Sequence, residues 1–396
     1  MSSEIEELQA ILKEDPYNFQ ARRTLSIVLL DNGFDQEAKQ NLLYLVRTFP
    51  DNAELLYNLG IAYEKLKEYE KAERAYLRAI VISPETDFYY NLGQTYIEMQ
   101  EWGKAIVALK HVIDVEPDDA NAFFNMGLCF FHKGEYEIAI EYFTQTVEKN
   151  PSDLFAYFYL GNVFKELGQN ELAISSYQKV IEIAPDYSWA YYNIGSIAYE
   201  EGNYEEALQY LKDTVKYNPH DIQAYMILTQ IYTTQMRLLE AKDTLREGLE
   251  NNSKNGDLLY LRSQLHKLNG DNESYERDIG ACLTNYHTLT IPLEKVKKEY
   301  SKIHNEMNEI RAQEQAELEE KARLEAEQVK SDDDEDIDNE GLSEDYSDTD
   351  KQSDEADSSL DDGNEETDEE YNSEDNDGVF GVNDVVNTDD NVLSED

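Results

Sequence analysis

The stretch from Asn121 to Pro151 reads NAFFNMGLCFFHKGEYEIAIEYFTQTVEKNP, and variants of it recur along most of the 396-residue chain. Its apolar residues recur three and four places apart in two runs, a spacing that is typical of amphipathic helices. The polar segment KGEYE, which starts at Lys133, separates the two runs and indicates a turn. One unit of this kind therefore predicts two helices joined by a short turn.

Seven prolines set the period of the repeat, because consecutive members lie 33 or 34 residues apart. They are Pro16, Pro50, Pro84, Pro117, Pro151, Pro185 and Pro219. Proline cannot sit inside a helix but is tolerated where a helix begins, so each proline marks the boundary between two units. Most units also carry a glycine after a large apolar residue and an alanine twelve places later, small residues that allow two helices to approach closely.

These units resemble the tetratricopeptide repeat family, whose pattern of Leu-Gly, an aromatic residue, Ala and Pro has a period of about 34 residues. The resemblance covers residues 19–289 and implies an all-α fold, a tetratricopeptide-repeat α-solenoid of about seven to eight helix pairs in a right-handed superhelix. Residues 1–18 are expected to form an N-terminal capping helix, since terminal repeats must shield one face from water. The resemblance also implies a scaffold for protein–protein interaction.

Residues 290–330 predict a long charged helix after the repeats. Its first part carries apolar residues at alternating spacings of three and four, the seam of a short coiled coil. These residues are Leu293, Val296, Tyr300, Ile303, Met307 and Ile310. Two interpretations stay open: the helix caps the last repeat, or residues 292–311 form a weak homodimer.

The formal net charge of −51 is unevenly distributed. Residues 331–396 contain 29 Asp and Glu against one Lys, which leaves a net charge of −23 for residues 1–330. The acidic tail cannot bury enough apolar surface to fold, so we expect residues 331–396 to be disordered. A chain this acidic is a poor ligand for nucleic acid, whose phosphates are neutralised by Lys and Arg, and a basic protein partner suits it better.

The sequence contains no motif that indicates catalytic chemistry. It has no phosphate-binding loop, no dinucleotide fingerprint and no cluster of His and Cys at metal-ligand spacing, so we expect no catalytic residue, cofactor or metal. Cys129 and Cys282 are far apart and do not suggest a disulfide framework. No apolar run is long enough to cross a membrane, and the start of the chain does not resemble a signal peptide. We therefore expect a cytoplasmic protein that does not bind membranes.

An asparagine two places before the repeated glycine is not explained by packing within a unit. Two residues correspond to a rotation of about 200° on a helix, which turns this side chain away from the packed glycine. An aromatic residue precedes it, and one further amide lies on the same side. The candidate groove residues are Asn58, Asn91, Asn125, Asn193, Tyr57, Tyr90, Phe124, Phe158, Tyr192 and Asn162.

Two roles are open for these asparagines. The repeats of the O-linked N-acetylglucosamine transferases carry an asparagine at the matching place, and it holds the backbone of an extended peptide in the concave groove. The resemblance implies the same for Asn58, Asn91, Asn125 and Asn193, because an amide both donates and accepts hydrogen bonds. The other role is a bond to the adjacent repeat that stiffens the stack. Tyr159 interrupts the series in the fifth unit.

The function expected from the sequence is therefore a non-enzymatic scaffold or adaptor that binds a peptide or partner segment in the concave groove. The alternative is a chaperone-like or nucleic-acid-mimicking protein whose acidic tail binds basic partners and whose repeats serve as a handle. The two hypotheses differ in whether residues 331–396 or the groove residues carry the interaction.

Overall fold

The computed structural model describes the backbone of residues 3–337 and the side chains of residues 3–325. The part of the predicted acidic tail after residue 337 lies outside the described residues. The α-helices within this range are α1 Ser3–Glu14, α2 Phe19–Asp31, α3 Asp35–Thr48, α4 Ala53–Lys65, α5 Tyr69–Ile82, α6 Thr86–Glu98, α7 Trp102–Val115, α8 Ala120–His132, α9 Tyr136–Lys149, α10 Leu154–Glu166, α11 Asn170–Ile183, α12 Ser188–Glu200, α13 Tyr204–Tyr217, α14 Ile222–Thr234, α15 Leu238–Asn251, α16 Gly256–Leu268, α17 Asn272–Thr284 and α18 Leu293–Ile337.

The helices form a solenoid of consecutive antiparallel pairs. Each even-numbered helix from α2 to α16 is the first helix of a repeat, and the odd-numbered helix after it is the second. The pair α2 and α3 opens the series, and α1 packs in front of it as a single helix. The all-α repeat architecture predicted from the sequence is therefore confirmed. No helix in the described part of the chain is both long and apolar enough to cross a membrane.

Most first helices of the repeats begin directly after a short polar residue whose side chain caps the helix. Asn52, Asp153 and Asp221 each accept a hydrogen bond from a backbone N–H of the turn that follows, at 2.9–3.0 Å. Such caps satisfy amides that have no partner within the helix. The first helices α6 and α12 differ, because Glu85 and Tyr187 occupy their cap positions and neither makes a side-chain capping bond.

The repeated glycine lies against a ring or a leucine of the second helix. A Cβ placed on Gly127 would come within 2.6 Å of the Phe143 ring, and one on Gly161 would come within 2.5 Å of Tyr177. Both distances are far below a van der Waals contact. The close helix approach inferred from the sequence is thus present in these two repeats.

The helix α18 covers the end of the last repeat. Val296, Ile303 and Met307 are at most 5% exposed and belong to the hydrophobic cluster that includes Ile279 of α17. The apolar seam predicted over residues 292–311 is therefore buried within the chain at these three positions, whereas Ile310 is 40% exposed. The helix continues to Ile337, so it passes the boundary at residue 330 that composition suggested.

Polar contacts also fasten α18 to α17. Glu276 is 8% exposed, and one of its oxygens lies 2.6 Å from His304 Nδ1 while the other accepts from the Arg311 guanidinium. Arg311, and then His304, hold the pKa of the Glu276 carboxyl below its ordinary value, although burial opposes them. The carboxylate therefore stays ionised between two basic groups of the capping helix.

Candidate functional site

The first helices α4, α6, α8, α10 and α12 carry every groove residue predicted from the sequence. We call the surface formed by the first helices the first-helix face. Its asparagines are half-buried, apart from Asn125, which is 9% exposed. The face therefore presents amide groups whose surroundings are partly shielded from water.

Two of the asparagines bond to the repeat before their own. Asn91 donates from Nδ2 to the Tyr57 hydroxyl at 3.0 Å, and Asn125 donates in the same way to Tyr90 at 3.1 Å. Gln94 adds a second donor to Tyr90, at 3.2 Å. The inter-repeat bond considered in the sequence analysis is thus present at both positions. The side-chain oxygens of Asn91 and Asn125 take no part in these two bonds.

The tyrosine hydroxyls at these positions keep their protons near neutral pH. Burial, followed by the nearby carboxylate of Asp87, raises the pKa of Tyr57, and burial followed by Asp119 raises the pKa of Tyr90. In the bonds from the asparagine amides each hydroxyl oxygen is an acceptor. Each O–H is therefore still available to donate to another group, such as a peptide carbonyl.

The pairing changes where phenylalanine replaces tyrosine. Phe124 has no hydroxyl, and Tyr159 takes the asparagine position of the next repeat, where its ring meets Phe124 edge-on at 5.8 Å. Phe158 likewise has no hydroxyl, and Asn193 instead donates to the Trp189 carbonyl of its own helix at 2.9 Å. The interruption of the asparagine series at Tyr159 is therefore a replacement of a hydrogen bond by a ring contact.

Asn162 and Asn58 have different surroundings. Asn162 accepts a hydrogen bond from the buried Tyr177 hydroxyl at 2.7 Å, so its oxygen is used to satisfy the core. The Asn58 side chain makes no hydrogen bond within residues 3–325. Asn58 is thus the predicted asparagine whose donor and acceptor both remain open.

The structure adds two residues that the sequence reasoning missed. Phe155 of α10 and Trp189 of α12 are 50% and 53% exposed, at the same place in consecutive repeats. The other repeats have polar residues there, namely Gln20, Glu54, Asp87, Asn121, Gln223 and Asp257. Because the place is not apolar in the repeat pattern as a whole, the two rings did not stand out as a motif.

Phe155 and Trp189 are joined to three other rings. Tyr187 contacts Phe155 edge-on at 6.5 Å and Phe158 at 5.5 Å, and Trp189 contacts Tyr192 at 6.3 Å. We call these five residues the aromatic patch. It extends across the boundary between α10 and α12 on the first-helix face.

Carboxylates lie near one end of this patch. Burial raises the pKa of Tyr192, and the charges of Asp221 and Glu200 raise it further. Asp221 also accepts from the Ala224 backbone N–H at 2.9 Å, which fixes its place at the start of α14. The aromatic patch is thus bordered by negative charge.

The described residues hold no cluster of His, Cys, Asp and Glu that could bind a metal ion. The two cysteines, Cys129 and Cys282, are buried free thiols, and burial raises the pKa of each to about 12. Neither thiol is therefore ionised near neutral pH, and the ionised thiolate is the nucleophilic form of cysteine. The side chains of the first-helix face can donate, accept and pack, which is the chemistry of recognition.

Models of the tetratricopeptide repeat match residues 53–85, 86–119, 120–153 and 198–265, and a TPR repeat model matches residues 161–200. Together these matches span more than half of the chain. The chain therefore belongs to the tetratricopeptide repeat family. A comparison with curated proteins gives no match.

Solved structures of helical repeat proteins are similar to this chain. The C-terminal part of a TPR repeat-containing protein from Cytophaga hutchinsonii is 17% identical, with a TM-score of 0.52 over 60% of this chain and 97% of that one. MamA is 27% identical with a TM-score of 0.40, covering 41% of this chain and 95% of its own. YrrB, described as a TPR protein with an unusual peptide-binding site, is 22% identical with a TM-score of 0.40, covering 46% and 95%. The Cytophaga structure supports the fold.

Proposed function

We propose that this protein is a non-enzymatic scaffold that binds an extended segment of a partner protein along the first-helix face. The family and the solenoid fold support a role in protein–protein interaction. The observation that carries the finer proposal is the row of amides and hydroxyls on α4, α6 and α8. Asn58 has an open donor and acceptor, and Tyr57 and Tyr90 keep protons to donate.

These groups suit the backbone of a peptide better than its side chains. A peptide unit offers one N–H and one C=O, and an amide side chain can satisfy both. The bonds from Asn91 and Asn125 to the preceding repeat hold the amides in place before a partner arrives. Preorganisation of this kind reduces the entropy lost on binding.

Charge favours a basic partner. Residues 1–330 have a net charge of −23, which attracts positively charged segments over long range. The acidic residues 331–396 add to this attraction under our proposal, and they are the binding element itself under the alternative of a chaperone-like or nucleic-acid-mimicking protein. We place the protein in the cytoplasm, where its two buried thiols would stay reduced.

The weak homodimer through residues 292–311 receives less support. It would have to displace Val296, Ile303 and Met307 from their packing on the last repeat. We therefore propose that the chain presents its groove as a monomer. Light scattering tests this directly, since the monomer has a mass of 45.8 kDa.

The binding experiment compares two changes in the full chain. One variant carries Asn58→Ala, Asn91→Ala and Asn125→Ala, and the other lacks residues 331–396. Partner capture is measured at two salt concentrations with both variants and the unchanged protein. Our proposal predicts that the triple substitution reduces capture at both salt concentrations, while the truncated chain keeps capture at the higher one. Loss of capture only on truncation would support the alternative.

A further inference from the structure

We propose that the aromatic patch on α10 and α12 is an anchor site for a bulky apolar side chain flanked by Lys or Arg in a partner segment. This inference rests on the proposed function and names the partner chemistry that one part of the groove selects. It is carried by the exposure of two rings, by a helix cap that the chain lacks at this place, and by the carboxylates beside the patch.

The exposure of Phe155 and Trp189 is not required by the solenoid. Both lie in the first turn of a first helix, where the other repeats place polar residues. Each is about half exposed, although a large ring can usually be buried against its neighbours. The two rings occupy the same place in consecutive repeats, and each contacts a further ring: Phe155 contacts Tyr187 at the start of α12, and Trp189 contacts Tyr192. Contiguous exposed apolar surface is a feature of interaction sites.

The register of these rings places them on one stripe of the helix. Phe155, Phe158 and Asn162 are separated by three and four residues along α10, and Trp189, Tyr192 and Ser196 are separated in the same way along α12. Residues with this spacing share a helix face. The aromatic patch is therefore continuous with the amide-bearing part of the first-helix face.

The missing cap at Tyr187 is a second, independent observation. The backbone there has φ −75° and ψ 88°, close to the φ −75° and ψ 95° of the cap residue Asp221. An Asp or Asn could therefore cap α12, as it caps α10 and α14. The chain instead carries a ring, which gives up a capping bond and completes the contact between Phe155 and Phe158.

The charges select the rest of the partner. Glu200 accepts a hydrogen bond at 3.1 Å from Ser196, which shares a helix stripe with Trp189 and Tyr192. Burial, and then the charges of Asp221 and Glu200, raise the pKa of Tyr192. A partner segment whose apolar anchor enters the patch would bring its neighbouring side chains toward these carboxylates. Lys or Arg there would gain from the negative charge and from the faces of exposed rings, whereas Asp or Glu would be repelled.

A peptide display library of random 12-residue sequences provides the probe, selected on the full-length protein. The site variant carries Phe155→Asn and Trp189→Gln, which are the residues that the neighbouring repeats have at this place. The matched control carries Val107→Ser and Leu239→Ser, two apolar residues of second helices that are 73% and 77% exposed. Circular dichroism confirms that each variant is helical before affinities are compared.

We expect the selected peptides to share a large apolar residue flanked by Lys or Arg. Their affinity should fall at least tenfold on the site variant and stay within twofold on the control. Peptides without a basic residue, or equal binding to the site variant, would overturn the anchor site. If such peptides nevertheless lose affinity with the triple asparagine variant, the groove function stands while this inference fails. If no peptide is enriched on the unchanged protein, both fail together.

Discussion

Asn91 Nδ2 lies 3.0 Å from the Tyr57 hydroxyl of the preceding repeat, and it donates a hydrogen bond across the repeat boundary. The two residues also lie on the face proposed to contact a peptide. The bond can thus act in two ways, as a link between repeats and as a support that fixes the amide for a ligand. The effect on stability can be measured without a ligand, because Tyr57→Phe breaks this bond and leaves the Asn91 amide in place.

We expect Tyr57→Phe and Asn91→Ala each to lower the free energy of unfolding by about 1 kcal/mol, the typical contribution of one hydrogen bond. In the double variant the losses should not add, since both changes break one bond. Urea denaturation followed by circular dichroism measures the cycle. Asn193→Ala serves as the control, because its amide bonds within its own helix and no inter-repeat link is lost. Additive losses would show that the bond contributes nothing to stability.

Gly127→Ala should destabilise the protein by about 1–3 kcal/mol, the usual effect of overfilling a packed core. The reason is geometric, since the added carbon would lie 2.6 Å from the Phe143 ring. The measurement is the shift of the urea midpoint. Gly103→Ala is a matched control within α7, where nothing lies within 4 Å of the added carbon. That substitution should leave stability unchanged or raise it, because alanine favours helix.

The contact of Glu276 with Arg311 and His304 predicts a pH dependence. The pKa of Glu276 is lowered in the folded chain, so its contribution to stability is complete above the ordinary glutamate pKa of about 4.3. It is lost as the pH falls through the lowered value. We expect Glu276→Gln to reduce the urea midpoint at pH 7 and to make a much smaller difference at pH 3. A difference of equal size at both pH values would contradict an ionic contact.

Tyr187 allows the missing helix cap to be tested directly. Tyr187→Asp and Tyr187→Ala both remove the ring, but only aspartate has a side-chain oxygen that can accept from the backbone amides in the first turn of α12. We therefore expect the aspartate variant to be more stable than the alanine variant by about 1 kcal/mol, by thermal unfolding. Both should bind the selected peptides more weakly than the unchanged protein. Equal stability of the two variants would show that the backbone at Tyr187 does not suit a cap.

The repeat architecture could be predicted from sequence because its determinants recur. The glycine, the alanine and the proline keep their spacing, and each has a local physical reason for its place. The partners of Asn91 and Asn125 could not be predicted, since they depend on how far one repeat is rotated against the next. The sequence defined the helix face but not the atoms that meet across the boundary.

The capping helix and the aromatic patch show two further limits. An apolar seam such as Val296, Ile303 and Met307 has the same spacing whether it packs on its own chain or on a second copy. An aromatic residue occurs at the place of Phe155 and Trp189 in two repeats alone, so the repeat pattern does not indicate these rings. Features that depart from the repeat were hardest to find, and the patch is one of them.

The change from amide–hydroxyl pairs to ring contacts gives the solenoid unequal mechanical properties along its length. A hydrogen bond such as that from Asn125 to Tyr90 has a preferred direction and resists sliding of one repeat past another. Ring contacts such as Phe124 with Tyr159 change little in energy over a range of angles. Under tension or twist, the α4–α8 segment should therefore behave as a stiff rod and the α8–α12 segment as the compliant joint.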